Sequence, residues 1–206
     1  MRIVEVKKSQ RKPGRFLVKL EDGSLLRVTE EEVLRFGLRR ELELGEAELE
    51  ALQASARTSS TRVQAANIIG SRALSKQELT RRLVKKGSQE ADAQAAADWL
   101  EDIGAVDDAA YAASLARHYG SRGYGPARVR EELRRRGVPR GLWDQALEEL
   151  PASGENLDAL IQRRCRGDLS DPREVKRLTD FLLRRGFSWG EIRAAVGRYV
   201  EMGEME

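Results

Sequence analysis

The chain has 206 residues, of which 40% are apolar, 34% charged and 5% aromatic, and its formal net charge is +3. No stretch approaches the roughly 18 apolar residues of a membrane-spanning helix, MRIVEVKKSQ lacks an apolar core of signal-peptide type, and the single cysteine, Cys165, cannot form an internal disulfide. These features exclude a helical membrane protein and a disulfide scaffold, and they predict a cytoplasmic protein of a reducing compartment.

The chain up to Val28 reads as three short strands. Arg2–Lys7 and Arg15–Leu20 alternate apolar and polar in part, and Leu25–Val28 returns after the Asp22-Gly23 turn, with a second turn at Lys12-Pro13-Gly14. Thr29-Glu30-Glu31-Glu32 is a capping box that opens a short helix stopped at Gly37. After Gly45, the spacing of Ala47, Leu49 and Leu52 starts another helix. It either runs through Ala56 and Arg57 or breaks near Thr58-Ser59-Ser60; the pattern is compatible with both.

From Thr61 the chain repeats. Basic, apolar-striped helices stop at Gly87, Gly137 and Gly186, a nearly constant period of about 50 residues. Leu83, Leu133 and Leu182 stand four positions before each glycine, and Leu79, Val129 and Leu178 stand eight before. Ala93, Trp143 and Ile192 follow six after; Ala97, Leu147 and Val196 follow ten after. A period of this length signals a helical repeat whose units bury their apolar faces together. Ser75-Lys76-Gln77-Glu78 is a capping box, Pro126 and Pro172 suit the first position of a helix, and Pro139 is predicted to start a helix through Leu150. Further helices are expected over residues 61–74, over Glu90–Ile103, from a cap at Asp107 or Asp108 through Tyr111, Leu115 and Tyr119, over Leu157–Arg166 and from Ser188 onward, each close to the mean helix length of about 12 residues. Pro151–Gly154 is expected to be a linker, and the tail after Val200 to be frayed.

The predicted fold class is therefore mainly α: three tandem three-helix repeats in an elongated, curved array, with a small N-terminal β-strand-rich segment. The expected divisions are 1–45 (strand-rich segment), 46–104 (linker helix and first repeat), 105–152 (second repeat) and 153–206 (third repeat and tail).

Enzyme motifs are absent. No G-x-x-x-x-G-K-[ST] occurs, Gly123-Tyr124-Gly125 lacks the rest of a dinucleotide fingerprint, and His118 and Cys165 have no metal-ligand spacing. No catalysis, metal or cofactor is predicted. Cys165 falls where the other repeats place Ala66 and Ala116, which reads as a small buried position, and His118 reads as a surface residue. Trp99, Trp143 and Trp189 read as packing residues rather than partner anchors.

The basic cluster is the candidate site. From Arg117 to Arg140 eight arginines face only Glu131 and Glu132, a local balance of +6. Arg122, Arg128, Arg130, Arg134, Arg135 and Arg136 crowd into one short part of that stretch. Helical spacing aligns Arg130 with Arg134 on one side, and Arg128 with Arg135, with Glu132 between them, on another. One reading is a solvated face on which Glu131 and Glu132 pair with Arg135 and Arg136. The other is an anion-binding ridge, helped by a flexible Gly120–Gly125 loop that presents Arg122 and Tyr124. Arg81, Arg82, Lys85 and Lys86 on the first repeat, and Arg184 and Arg185 on the third, extend the ridge into a strip.

Three stretches resemble a known family. SRALSKQELTRRLVKKG (Ser71–Gly87), WLEDIGAVDDAAY (Trp99–Tyr111) and GPARVREELRRRGV (Gly125–Val138) are similar to the repeat signatures of the bacterial RecX regulators. The resemblance covers residues 60–200. It implies tandem three-helix repeats and a non-enzymatic, monomeric regulator that binds the RecA recombinase filament. Such a regulator inhibits strand exchange, ATP hydrolysis and coprotease activity, and so modulates DNA repair, recombination and the SOS response. Direct binding of single- or double-stranded DNA is the competing expectation; a general helical scaffold is a weaker one.

Overall fold

The computed structural model describes residues 1–10, 13–151, 153–165 and 171–203. Lys12 of the expected turn, Ala152 of the linker, Arg166 at the end of an expected helix, and the end of the tail lie outside the described residues. The chain divides into two compact units, Met1–Val106 and Asp107–Glu206.

The first unit opens with β1 (Ile3–Lys8), β2 (Arg15–Leu20) and β3 (Leu25–Thr29), an antiparallel sheet in the order β1-β2-β3. The register sets Val6 opposite Val18 and Val18 opposite Leu26, so one face is apolar; Lys7, Leu17 and Arg27 form a row on the other. Thr29 caps α1 (Glu30–Arg35) in a full capping box with Glu32. The apolar face packs with Leu52 and Ala56 of α2 (Glu46–Ser71) into one core.

Helix α2 runs unbroken for 26 residues, about 39 Å at 1.5 Å per residue. The hydroxyl-rich middle, where a break was an open alternative, does not interrupt it because those side chains bond outward to other elements. Ser55 donates to Glu32 Oε1 at 2.8 Å and Thr58 to Asp92 at 3.0 Å, while the Ser59 hydroxyl lies 3.3 Å from Glu32 Oε2 as well as 3.2 Å from the Ala56 carbonyl. Hydroxyls that compete with the helix backbone in isolation are here engaged in tertiary contacts. The far end of α2 supplies Ala65 to a second core with α3 (Lys76–Lys85) and α4 (Glu90–Asp102). Lys76 joins α3 to α4 through Asp98 (2.6 Å) and Glu101 (2.5 Å).

The second unit holds two more three-helix repeats: α5 (Asp108–Gly120), α6 (Pro126–Arg135) and α7 (Trp143–Glu148), then α8 (Ser153–Arg164), α9 (Pro172–Arg184) and α10 (Trp189–Gly203). Each repeat has its own core, around Leu133 and around Leu182. The glycines that mark the period are helix stops of one kind. Gly87, Gly137 and Gly186 have φ of 97°, 73° and 90°. At each, the glycine N–H and the following N–H reach back to α-helical carbonyls, as with Gly137 to Arg134 (3.0 Å) and Val138 to Leu133 (3.0 Å). This double closure needs a left-handed residue, which glycine supplies without a Cβ penalty.

Five sequence expectations change. Ser153 and Gly154 of the expected linker open α8, four residues before the expected start at Leu157. The helix predicted from Pro139 is a 3-10 turn at Arg140–Leu142 followed by the short α7; Pro139 has ψ of 136°, so it precedes the helix rather than starting it. Cys165 is half-buried and follows α8 rather than lying within it, and its proposed counterpart Ala66 is exposed because Ala65 faces the core of the continuous α2. Trp189 is 64% exposed; it occupies the position held by Glu90 and Arg140 in the other repeats, both exposed. The Gly120–Gly125 loop, expected to present Arg122 and Tyr124 freely, is held by the contacts described below, with Tyr124 half-buried.

Gly186 also faces a neighbour: a Cβ there would lie 2.4 Å from the Arg128 backbone nitrogen, whereas nothing lies within 4 Å of one at Gly87. Gly87→Ala is expected to cost about 1–2 kcal/mol from the left-handed backbone alone, and Gly186→Ala a further 1–3 kcal/mol or so from overlap that backbone atoms cannot relieve. Chemical denaturation of the two variants checks this; equal losses would contradict it.

Candidate functional site

Helix α6 is placed by the third repeat. Gly125 donates its N–H to the Arg185 carbonyl (2.9 Å), and Ala127 donates to the Gly186 carbonyl (3.1 Å). Pro126 sits in the first turn and lacks a donor, so the neighbouring chain satisfies an otherwise orphaned N–H of the helix start. Arg185 completes the junction. Its guanidinium donates to the carbonyls of Arg122 (2.5 Å) and Gly123 (3.4 Å) and lies over the rings of Tyr124 (4.8 Å) and Phe181 (5.0 Å). Asn156 donates to the Gly120 carbonyl at 3.1 Å. The glycines of this loop serve close approach: Gly120 abuts Pro151 and Gly123 abuts Leu160.

The organising charge on α6 is Glu132, which is buried with only 3% of its side chain accessible. The sequence carries a signal for this, because Val129, Glu132 and Leu133 share the i, i+3, i+4 stripe that faces the core. Glu132 pairs with Arg128 (3.2 Å), Arg135 (2.6 Å) and Arg136 (3.6 Å). Arg136 also donates to the Tyr111 hydroxyl at 2.9 Å, and Arg128 pairs with Glu131 at 2.5 Å. Burial pushes the Glu132 carboxyl pKa up. Hydrogen bonds from Arg135 and Tyr119 and the charges of Arg135 and Arg128 outweigh it, so the net direction is below the ordinary 4.5. Of the expected partners, Glu132–Arg136 forms, whereas Glu131 turns to Arg128 rather than Arg135.

The candidate residues thus fall into groups. Arg128, Arg135 and Arg136 are held by Glu132, and Arg185 holds the loop. Tyr124 is half-buried beneath Arg185 and 5.4 Å from the Tyr119 ring. Arg130 and Arg134 lie one turn apart on the exposed side of α6, with no acidic partner among the described residues; Arg122 and Arg184 are exposed in the same unit. Arg81, Arg82, Lys85 and Lys86 belong to the first unit. There Arg82 pairs with Glu78 (2.8 Å), Arg81 hydrogen-bonds Gln77, and Lys85 and Lys86 are exposed. Glu78–Arg82 and Arg128–Glu132 occupy the same repeat positions with their signs exchanged. His118 is exposed, with its ring 5.6 Å from that of Tyr119. Among the described residues no group of His, Cys, Asp and Glu is arranged to hold a metal, and no helix is long and apolar enough to cross a membrane.

Removing the Glu132 charge leaves three guanidiniums facing one another. Glu132→Gln is expected to lose about 1–3 kcal/mol at neutral pH. Because the folded carboxyl titrates below its ordinary value, its contribution is present above about pH 4.5 and is lost as pH falls through the folded pKa. The stability gap between parent and variant should therefore hold from pH 7 to 5 and narrow below that. Denaturation curves across the range measure it, and a gap that widens in acid would refute the assignment.

Comparison with known proteins bears on this arrangement. Family models of the second and third three-helix domains of RecX match residues 107–147 and 154–196. A regulatory protein RecX of Pseudomonas entomophila (strain L48) is 41% identical over 113 residues, covering 54% of this chain and 73% of that protein. One from Halorhodospira halophila (strain DSM 244 / SL1) is 31% identical over 150 residues, covering 69% and 90%. A crystal structure of a regulatory protein RecX superposes with a TM-score of 0.76 at 21% identity over 95% of this chain and 98% of the other. The RecX of Lactobacillus salivarius does so at 0.61 and 18% identity over 71% and 97%; at these identities the two structures establish the fold alone. Three-helix repeats with glycine-stopped basic helices, matched in two of the repeats by family models and over most of the length of curated relatives, place this chain in the RecX family of regulatory proteins.

Proposed function

We propose that this chain binds the RecA nucleoprotein filament and restrains its strand-exchange, ATPase and coprotease activities, with the exposed side of α6 as a contact surface. The functional modules in this reading are the strand-rich segment 1–45 and the repeats over 46–104, 105–152 and 153–206. Family membership, together with the resemblance of Ser71–Gly87, Trp99–Tyr111 and Gly125–Val138 to RecX signatures, carries the identity of the partner. The observation that carries the surface is Arg130 and Arg134, exposed without acidic partners among the described residues on a helix whose other arginines are anchored through Glu132. Anchoring holds the surrounding guanidiniums in fixed geometry, which lowers the ordering cost of meeting an anionic surface. Arginine forks suit carboxylates and phosphates alike. Cations at Lys85, Lys86, Arg134, Arg135, Arg136, Arg184 and Arg185 also complement the carboxyl ends of their helices, so Arg130, outside the last turn, bears most directly on partner binding.

The variant Arg130→Glu/Arg134→Glu leaves the Glu132 cluster intact. Its stability is expected to fall by less than about 1 kcal/mol, the cost of an acid at position 134 in the last turn of α6, while the concentration giving half-inhibition of single-strand-dependent ATP hydrolysis by RecA rises about tenfold or more, each lost charged contact being worth on the order of 1–2 kcal/mol. Unchanged inhibition by the folded variant would remove α6 from the contact surface.

A further inference from the structure

The first unit contains a cleft that the arginine helix does not explain. It has a volume of about 700 Å³ and lies between the outward rows of the sheet and the second half of α2. Lys7, Lys8, Arg15 and Arg27 line it, and among the described residues no acidic one lines it. The register places Lys7 and Arg27 in one row on either side of Leu17, about 10 Å apart at the usual strand spacing. The opposite wall, from α2, brings Gln64 and Asn67 beside the apolar patch of Leu17 and Val63. The walls are preformed: Arg15 bridges them by donating to the Ser59 carbonyl at 3.2 Å, and Lys8 lies 5.6 Å from the Phe16 ring centre. Lys7 pairs with Glu5 at 3.0 Å; Arg27 is exposed with no acidic partner among the described residues. The Gln64 side-chain oxygen is buried without a hydrogen-bond partner, although the residue as a whole is half-buried.

We infer that this sheet–α2 cleft is a binding site for the sugar-phosphate backbone of a single-stranded nucleic acid. Cations with amide and hydroxyl side chains are the groups that contact phosphate and sugar. A deoxyribose-phosphate backbone has no donor for the Gln64 oxygen, so the cations and the Asn67 amide carry the recognition. The volume is that of a small-ligand cleft, which admits one strand and not a double helix. Among the described residues no aromatic one lines it, so they offer bases no stacking platform there. Binding is therefore backbone-directed, indifferent to sequence and steeply salt-dependent. The site is independent of the recombinase reading: it belongs to the other unit and acts without RecA.

The test uses the full chain and a fluorescein-labelled thymidine oligonucleotide, followed by anisotropy from low to moderate salt without recombinase. Arg27→Glu and Asn67→Asp change exposed residues of the cleft. Arg40→Glu makes the same net change as Arg27→Glu at an exposed residue outside it. Both cleft variants should weaken binding about tenfold, and Arg27→Glu should flatten the slope of log affinity against log salt by roughly 0.7, while Arg40→Glu stays within about twofold of the parent. Equal losses in Arg27→Glu and Arg40→Glu, no binding by the parent at low salt, or tighter binding of a polyglutamate of matched length than of the oligonucleotide would each overturn the inference. The last outcome would assign the cleft to an acidic protein segment. RecA inhibition measured on the same variants separates failure of this site from failure of the α6 surface.

Discussion

A left-handed glycine at the end of α3, α6 and α9 is the constraint on which the arrangement rests. Each lets the helix close on its own carbonyls within one turn, and so delivers the next helix at a fixed angle over the same core positions. At Gly186 the constraint does more. Its carbonyl satisfies the start of α6, and its missing Cβ lets the Arg128 backbone approach. The position of the arginine helix thus depends on the turn that ends the equivalent helix of the following repeat. The second and third repeats are joined by main chain rather than by side-chain packing alone.

Upon that frame the charges sort by burial. Glu132 is surrounded by arginines and buried on the core side of its helix, so the guanidiniums that reach it are positioned from below. Unpaired, they would repel; paired, they form a fixed cationic rim beside Arg130 and Arg134. The same logic places Arg185 in the loop junction, where aromatic rings and carbonyl oxygens take its charge. A basic helix is in this way divided into cations that hold the fold and cations that face outward.

Much of the fold was legible because repeats multiply weak signals. One glycine after a leucine stripe means little, but three at nearly equal spacing define a unit and its core positions, and Leu83, Leu133 and Leu182 are indeed buried. Strand turns and capping boxes were legible because they are local, as at Thr29 and Ser75. What the sequence left open or missed depends on contacts distant in the chain. The continuity of α2 rests on hydroxyls meeting Glu32 and Asp92. The clamped loop rests on Arg185, a full repeat away, and the exposure of Trp189 rests on where the third core ends. The site was half legible. Sequence located the arginines and the alignment of Arg128, Glu132 and Arg135, but charge pattern alone does not tell a solvated glutamate from one buried among guanidiniums. The cleft in the first unit was not legible at all, since it joins β-strands to the far half of a helix well beyond them in the chain.

The central claim, our proposal that this RecX family member restrains the RecA filament by binding the filament itself, turns on stoichiometry. Single-strand-dependent ATP hydrolysis by preformed RecA filaments should be titrated with the chain at ratios far below one per protomer. The account predicts clear inhibition there, because a bound copy affects many protomers. Inhibition only near equimolar protein, or only when the chain saturates free DNA, would contradict it.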